Sequence, residues 1–162
     1  MKSINKGLAV LSIVPLLASV VTVAQPQARQ APPQAPIEER AAEYRNSVFH
    51  TINYNYLLIN GMTRGDEVDE ARFQQAAKNL ESLSHMIEEG FHQGSPEYTG
   101  LSTDAVWEDS EDFFELVEDF KVKAAALASV AHEGLDEATS EFNSLRSTCG
   151  GCHRNYRQRV GQ

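Results

Sequence analysis

The sequence predicts an all-α protein, an antiparallel up-down-up-down four-helix bundle. Four long segments carry apolar residues three and four positions apart, which is the spacing of one face of a helix. No segment alternates apolar and polar residues as a half-buried strand would, and most connections are short, which favours antiparallel neighbours. Residues 37–162 are therefore expected to form one domain around one core.

The first 24 residues have the pattern of an export signal. Lys2 and Lys6 precede an apolar run from Leu8 to Val23, and Ala24 closes a small-residue cleavage site. A retained membrane anchor is the alternative, but the run is interrupted by a proline and is shorter than a membrane span prefers. We expect cleavage near Ala24, a periplasmic product and no membrane contact after cleavage.

A Pro- and Gln-rich segment, QPQARQAPPQAP, follows at residues 25–36. It cannot bury enough apolar surface to offset the cost of ordering, so we expect a flexible leader. The whole chain has 23 acidic and 14 basic residues, a formal net charge of -9. This charge argues against a nucleic-acid partner, and it favours a basic protein as redox partner.

The first two helical segments are bounded by glycines. An apolar stripe from Ile37 to Ile59 stops at Asn60-Gly61, a sequence typical of a helix C-terminus. The second segment runs from about Val68 to Glu89 and ends at a further glycine. Each segment is long enough to span a bundle of this size.

The third segment begins at the N-cap candidate Thr103, which Asp104 follows, and its apolar residues repeat at alternating steps of three and four up to Gly134. The fourth segment continues the same alternation from Leu135 to Val160. Both cysteines of the chain lie on this last stripe and are expected to face the core.

The two cysteines form the motif C-G-G-C-H at residues 149–153. On a helix, Cys149, Cys152 and His153 project from one face, so a single flat ligand can meet all three. A thioredoxin-like pair needs a preceding strand, and a zinc site needs a second ligand pair. In an exported chain the motif predicts one haem c attached through two thioethers, with His153 as iron ligand; a disulfide in a haem-free helical binding module is the alternative.

A second axial iron ligand would have to come from upstream, because only nine residues follow His153. Met62 falls at the turn after the first segment, and Met86 is more simply explained as core filling. His50 points about 100° away from its neighbour Phe49 on a helix. We expect iron with one protein ligand and an open second face covered by a hydrophobic side chain; six-coordinate iron through His50 or Met86 is the alternative.

The sequence resembles the cytochrome c′ family, periplasmic four-helix-bundle haem proteins. The resemblance rests on CGGCHRNYR at residues 149–157, RAAEYRNSVF at 40–49 and AVWEDSEDF at 105–113. It extends over residues 37–160, and it is weak in the second segment and in the loop from Phe91 to Ser102.

Besides the haem anchors and the iron ligand His153, the resemblance implies roles for three residues. Arg45 would pair with a haem propionate through a charge-assisted hydrogen bond. Arg157 would reach a haem edge or a ligand on the histidine side. Phe49 would cover the open face of the iron, and because phenylalanine cannot coordinate, where low-spin relatives of the family carry methionine, the resemblance implies the five-coordinate, high-spin type.

The function that the resemblance implies is reversible binding of NO, and of CO more weakly, at ferrous iron, together with one-electron redox cycling in the periplasm. A homodimer through the first two helices is common in the family. The sequence contains no Ser-His-Asp set, and its paired carboxylates have the pattern of solvated helix faces, so we expect a protein that is not an enzyme.

Overall fold

Four long helices dominate residues 35–91 and 100–159, the part of the chain that the computed structural model describes. The elements are α1 (Ile37–Met62), α2 (Glu70–Ser84), a short 3₁₀ helix (Glu88–Phe91), α3 (Ala105–Glu108), α4 (Ser110–Val130) and α5 (Leu135–Tyr156). α1 packs on α2, α2 on α4, and α4 on α5. Short turns join the first and the last of these pairs, so their helices run antiparallel. The predicted all-α four-helix bundle is confirmed.

Several predictions fall on residues outside this part of the chain. They are the signal peptide at residues 1–24, nearly all of the leader at 25–36, and the last apolar position of the fourth stripe, Val160. Among the described helices, none is both long and apolar enough to cross a membrane.

α1 follows the predicted stripe and ends close to the predicted stop. Two carboxylates, Glu38 and Glu39, lie in its first turn, where negative charge stabilises the helix dipole. At its other end the backbone N–H groups of Arg64 and Asp66 both donate to the Gly61 carbonyl oxygen at 3.0 Å. These two bonds turn the chain toward α2.

α2 begins where a side chain caps it and ends five residues before the predicted limit. Asp69 accepts a hydrogen bond of 3.0 Å from the backbone N–H of Arg72. After Ser84 the backbone tightens, since Ile87 donates to Ser84 and Gly90 donates to Ile87, both with 3₁₀ spacing. The resulting 3₁₀ helix carries Gly90 and Phe91 back toward α1.

The third predicted segment is two helices rather than one. The backbone leaves helical geometry at Asp109, with φ -115° and ψ 48°, between α3 and α4. Both Val106 and Phe113, on either side of this break, are 2% exposed. Because these residues are seven positions apart, a straight helix would also put both on one face, so the break redirects the backbone without removing either from the core.

α5 also ends earlier than its apolar stripe predicts. Gly134, with φ 145°, precedes its first residue, in a conformation that side chains strongly disfavour. The helix stops at Tyr156, and Arg157 is extended, with φ -116° and ψ 131°, and forms an isolated β-bridge with Ser102. Arg157 is thus not on the last helix.

The core lies along the bundle axis and is built by all four long helices. Its largest fully buried apolar side chains, each below 2% exposure, include Ile59, Leu80, Leu127, Phe142 and Leu145. Removing such side chains from water is the main stabilising contribution to the fold. The functional cavity adjoins this core.

Candidate haem site

All six residues predicted for the site line one cavity of about 490 Å³ inside the bundle. They are Arg45, Phe49, Cys149, Cys152, His153 and Arg157. The other walls come from the end of α2, the 3₁₀ helix, α4 and residues 101–102. Of the alternative axial ligands, His50 is among the described lining residues, whereas Met62 and Met86 are not.

α5 supplies the reactive groups of the cavity. Cys149 and Cys152 are free thiols, half-buried one helical turn apart. Burial raises the pKa of the Cys149 thiol, and burial followed by the charge of Cys149 raises the pKa of Cys152 to about 11. Partial burial, and then the positive charge of Arg157, lower the pKa of His153. The imidazole is therefore held in its neutral form, the form that ligates metals.

A short clamp fixes the end of α5 beside the cavity. The backbone N–H of Thr103 donates to the Tyr156 carbonyl at 3.1 Å, and that of Gln158 donates to the Leu101 carbonyl at 2.8 Å. The Thr103 hydroxyl also donates to Asn155, at 3.0 Å. These bonds hold the extended residues after α5 against residues 101–103, and they bring Leu101 to the cavity wall.

α1 supplies the opposite wall, and its arginine is tightly held. Arg45 is 4% exposed, and its Nη1 donates to the Gly90 carbonyl oxygen at 2.6 Å. Its guanidinium carbon lies 5.0 Å from the ring centroid of Phe91 and 5.7 Å from that of Trp107. Burial lowers the pKa of Arg45. One turn along α1, the Phe49 ring meets Phe91 edge-on, with centroids 6.3 Å apart.

Two aromatic residues that pack against Arg45 of this wall were not predicted. Phe91 falls at the start of the weakly matching loop, yet it is buried against Phe113, with ring centroids 4.7 Å apart. Trp107 lies in a quoted motif, but its role was not foreseen. Its Nε1 is buried, and no described residue accepts its hydrogen bond. A phenylalanine directly after Gly90 and a tryptophan in an acidic stretch are the only sequence signals of these positions.

Polar residues of α1 form the outer rim of the cavity. Asn46, His50 and Asn53 are exposed and line it on the α1 side. The spacing of three and four along one helix places them on a common face. The sequence predicted that His50 points about 100° away from Phe49, and at the rim His50 is exposed whereas Phe49 is half-buried.

The residues present fit a covalently attached haem. Two thiols at i and i+3 and a neutral imidazole at i+4 line a largely apolar cavity of a size typical for cofactors. The buried cation Arg45 lines this space, and the Trp107 ring, whose N–H has no acceptor among the described residues, lies 5.7 Å from its guanidinium carbon. A flat apolar ring with anionic groups at its edge has the matching chemistry.

Comparison with known proteins agrees with this geometry. A family model described as "Cytochrome C'" matches residues 40–157. The chain belongs to the cytochrome c′ family. Proteins of the cytochrome c′ family carry covalently attached haem c, which is therefore the cofactor of this chain.

Individual cytochromes c′ are similar over most of the chain. Cytochrome c′ from Halomonas halodenitrificans is 33% identical over 132 residues, which cover 74% of this chain and 96% of the relative. The structure of cytochrome c prime from Shewanella frigidimarina is 30% identical, with a TM-score of 0.73 over 78% of this chain and all of that one. A nitric oxide complex of a mutant cytochrome c prime from Alcaligenes xylosoxidans shares the fold at 22% identity, with a TM-score of 0.70 over 75% of this chain and 96% of that one.

Proposed function

We propose that this cytochrome c′ binds NO, and CO more weakly, at an iron that has His153 as its one protein ligand, and that it also passes single electrons in the periplasm. Haem c supplies the iron that takes up the gas or the electron. The proposal assigns the chain no catalytic residues. It is supported by the family membership and by the nitric oxide complex known for a structural relative.

The observation that carries the proposal is the pairing of the two cavity walls. Cys149, Cys152 and His153 line the cavity from α5, and Phe49 lines it from α1. Cys149 and Cys152 would form the two thioethers to haem c, and the imidazole of His153 would ligate its iron. Phenylalanine has no donor atom, so the Phe49 ring would exclude water from the open side of the iron without coordinating it.

Two arginines complete the proposed site. The guanidinium group of Arg45 has five N–H donors, so it can hold the Gly90 carbonyl and a haem propionate together. Arg157 lines the cavity near His153, and its charge helps to keep the imidazole neutral. Arg45 would thus hold the propionate edge of the haem, and Arg157 would act on the imidazole of His153.

The test is to replace Phe49 by alanine in the purified holoprotein and to follow CO association with the ferrous form after flash photolysis. We expect the association rate to rise, because the ring no longer obstructs the open face. Phe114→Ala is the matched control, since Phe114 is half-buried on α4 and is not among the described lining residues. Equal CO rates in wild type and Phe49→Ala would reject the covering role.

The competing function is electron transfer by six-coordinate iron, and His50 at the cavity rim is the residue that favours it. A broad high-spin ferrous Soret band supports the gas-binding proposal. Sharp, split α and β bands that disappear in His50→Ala would reject that proposal and support electron transfer by six-coordinate iron. The same spectra recorded with NO and with CO establish both ligands directly.

We also propose a homodimer through α1 and α2. Tyr54 and Leu57 on α1 are 57% and 54% exposed, unusually open for large apolar side chains. Tyr54 accepts a hydrogen bond of 3.1 Å from Arg72 of α2, so the exposed surface continues across both helices. Leu57→Glu should shift the holoprotein from dimer to monomer in sedimentation velocity; a wild-type protein that is already monomeric at high concentration would contradict the dimer.

A further inference from the structure

The C-terminal part of the chain is basic, although the protein as a whole is acidic. Residues 143–162 contain four arginines and no aspartate or glutamate, in a chain of net charge -9. The four are Arg146, Arg154, Arg157 and Arg159, and all are exposed. The three ion pairs found within residues 35–91 and 100–159 involve none of them. Within this segment the positive charge is therefore not offset by any carboxylate.

Three of these arginines lie near the exposed lining residues at the end of α5. Arg157 is itself a lining residue. Arg146 precedes the lining residue His153 by two helical turns, about 10 Å, and so lies on the same side of α5. Arg159 is two residues beyond Arg157, directly after the residue that the clamp bonds to Leu101. We call Arg146, Arg157 and Arg159 the arginine face.

The cavity wall beside the arginine face has an exposed apolar residue and no acidic lining residue among those described. Leu101 lines the cavity and is 45% exposed. The rim on the α1 side is polar. Carboxylates outside the lining, Asp112 and Asp109, act on the lining residue Tyr156, whose pKa they raise after burial does. An exposed apolar residue beside several arginines is typical of protein interfaces, which have an apolar centre, a polar rim and an excess of arginine.

We propose that the arginine face and Leu101 dock a carboxylate-rich surface of a one-electron partner protein; this inference rests on the proposed one-electron function. It reverses the expectation of a basic partner, which was drawn from the charge of the whole chain. At physiological ionic strength charges are screened beyond about 8 Å, so the groups around the contact decide complementarity. The negative charge on the remainder of the molecule mainly favours solubility and disfavours complexes in which the acidic partner approaches another surface.

The test measures reduction of the ferric holoprotein by reduced flavodoxin, an acidic one-electron donor, in a stopped-flow instrument. The variant is Arg146→Glu with Arg159→Glu, two exposed positions that are not among the described lining residues. We expect its bimolecular rate to fall about tenfold or more at low ionic strength, the scale of electrostatic steering. The wild-type rate should fall as salt is added, and that of the variant should depend on salt less.

The matched control is Arg64→Glu with Lys78→Glu, which changes the net charge equally. Arg64 lies beyond the far end of α1, about 25 Å along the axis from Arg45, and Lys78 is exposed about 200° around α2 from the lining residue Leu80. We expect the control to keep most of the wild-type rate. Equal losses in both double variants would show an effect of net charge alone and would overturn the docking proposal.

Two further measurements separate the inference from the proposed function. Dithionite is a small reductant that needs no docking face, so it should reduce every variant to completion as it does wild type, although its negative charge makes its rate depend on the charge of the protein. If dithionite reduces every protein and flavodoxin does not distinguish the variants, the arginine face is rejected and the one-electron function stands. If the wild-type haem cannot be cycled at all, the proposed function fails. The wild-type protein could also sediment with anionic phospholipid vesicles. If Arg146→Glu/Arg159→Glu abolishes that sedimentation and leaves the flavodoxin rate unchanged, the arginine face binds a membrane surface and the docking proposal is rejected.

Discussion

The two walls of the cavity differ in how much of their order the polypeptide itself provides. On the α1 wall, Arg45 is 4% exposed and is held by the Gly90 carbonyl and by two aromatic rings. On the α5 wall, the thiols are half-buried; Cys149 Sγ lies 3.9 Å from the Leu145 carbonyl oxygen and also has a hydrogen bond with the Thr148 side chain. The α1 wall is packed by the chain itself, whereas the α5 wall would be completed by bonds to haem c.

The comparison teaches that fixed and reactive groups are kept on different helices. Packing rigidifies the α1 side, so its shape is set before any ligand enters. The α5 side keeps nucleophilic and ligating atoms accessible, which their chemistry requires. Each of the following predictions acts on one wall and leaves the other in place.

The largest effect is expected from removing the two thiols of the α5 wall. Cys149→Ser with Cys152→Ser should abolish covalent haem attachment, because a hydroxyl does not replace a thiol in thioether formation. The measurement is haem-dependent staining after denaturing electrophoresis, together with the intact mass. Ser147→Ala, at an exposed position of the same helix, should stain as wild type does. Staining of the double serine variant at wild-type strength would place the attachment elsewhere.

Removing a side chain that packs against the α1 wall should lower the stability of the protein and leave the cofactor attached. Phe91→Ala removes a ring that is 7% exposed and that packs against Phe49, Trp107 and Phe113. Because the ring is buried, we expect its removal to lower the free energy of unfolding by about 3–5 kcal/mol. Guanidinium denaturation of the holoprotein measures it, and Phe114→Ala should lose clearly less because Phe114 is half-buried. Retained covalent haem in both variants would sharpen the contrast between the walls.

The sequence predicted α1 and α5 well because their apolar stripes are long and regular. Spacing alone put Cys149, Cys152 and His153 on one helical face, and these residues do line one cavity. The break at Asp109 and the 3₁₀ helix after α2 could not be predicted, since the apolar spacing of three and four continues through both and does not mark them. The pairing of Ser102 with Arg157 was equally hidden, because it joins residues far apart in sequence and leaves no periodic signal.

A pair of glycines tests how closely the α1 wall is packed. A Cβ built on Gly90 would overlap the Arg45 side chain, whereas one built on Gly150 of α5 meets nothing within 4 Å. Gly90→Ala should therefore cost about 1–3 kcal/mol of unfolding free energy through overpacking. Gly150→Ala should gain about 0.5–1 kcal/mol, because alanine favours a helix interior over glycine. Both values come from denaturation of the holoprotein, and equal effects of the two substitutions would contradict the difference in packing.

The smallest effect concerns a hydrogen bond that joins α1 to the 3₁₀ helix, and it should depend on pH. The Tyr44 hydroxyl donates to Glu89 Oε2 at 2.6 Å. This bond, then burial, then the charge of Glu89 raise the pKa of Tyr44 to about 12. Since tyrosine in an unfolded chain has a pKa of about 10, the unfolded state loses this proton first, so the contribution is complete below pH 10 and fades as the pH approaches 12.

Tyr44→Phe should accordingly lower the midpoint of thermal unfolding slightly at pH 8, and the gap to wild type should narrow above pH 10. We expect a loss below about 1 kcal/mol, since the bond lies at the surface. Tyr54→Phe removes a hydroxyl from the same helix without touching the 3₁₀ helix, and it controls for the loss of a phenol. Because any alkaline change at the haem is common to wild type and variants, it cancels in the difference. A gap that stays constant from pH 8 to pH 12 would mean that the α1 wall gains nothing from this bond.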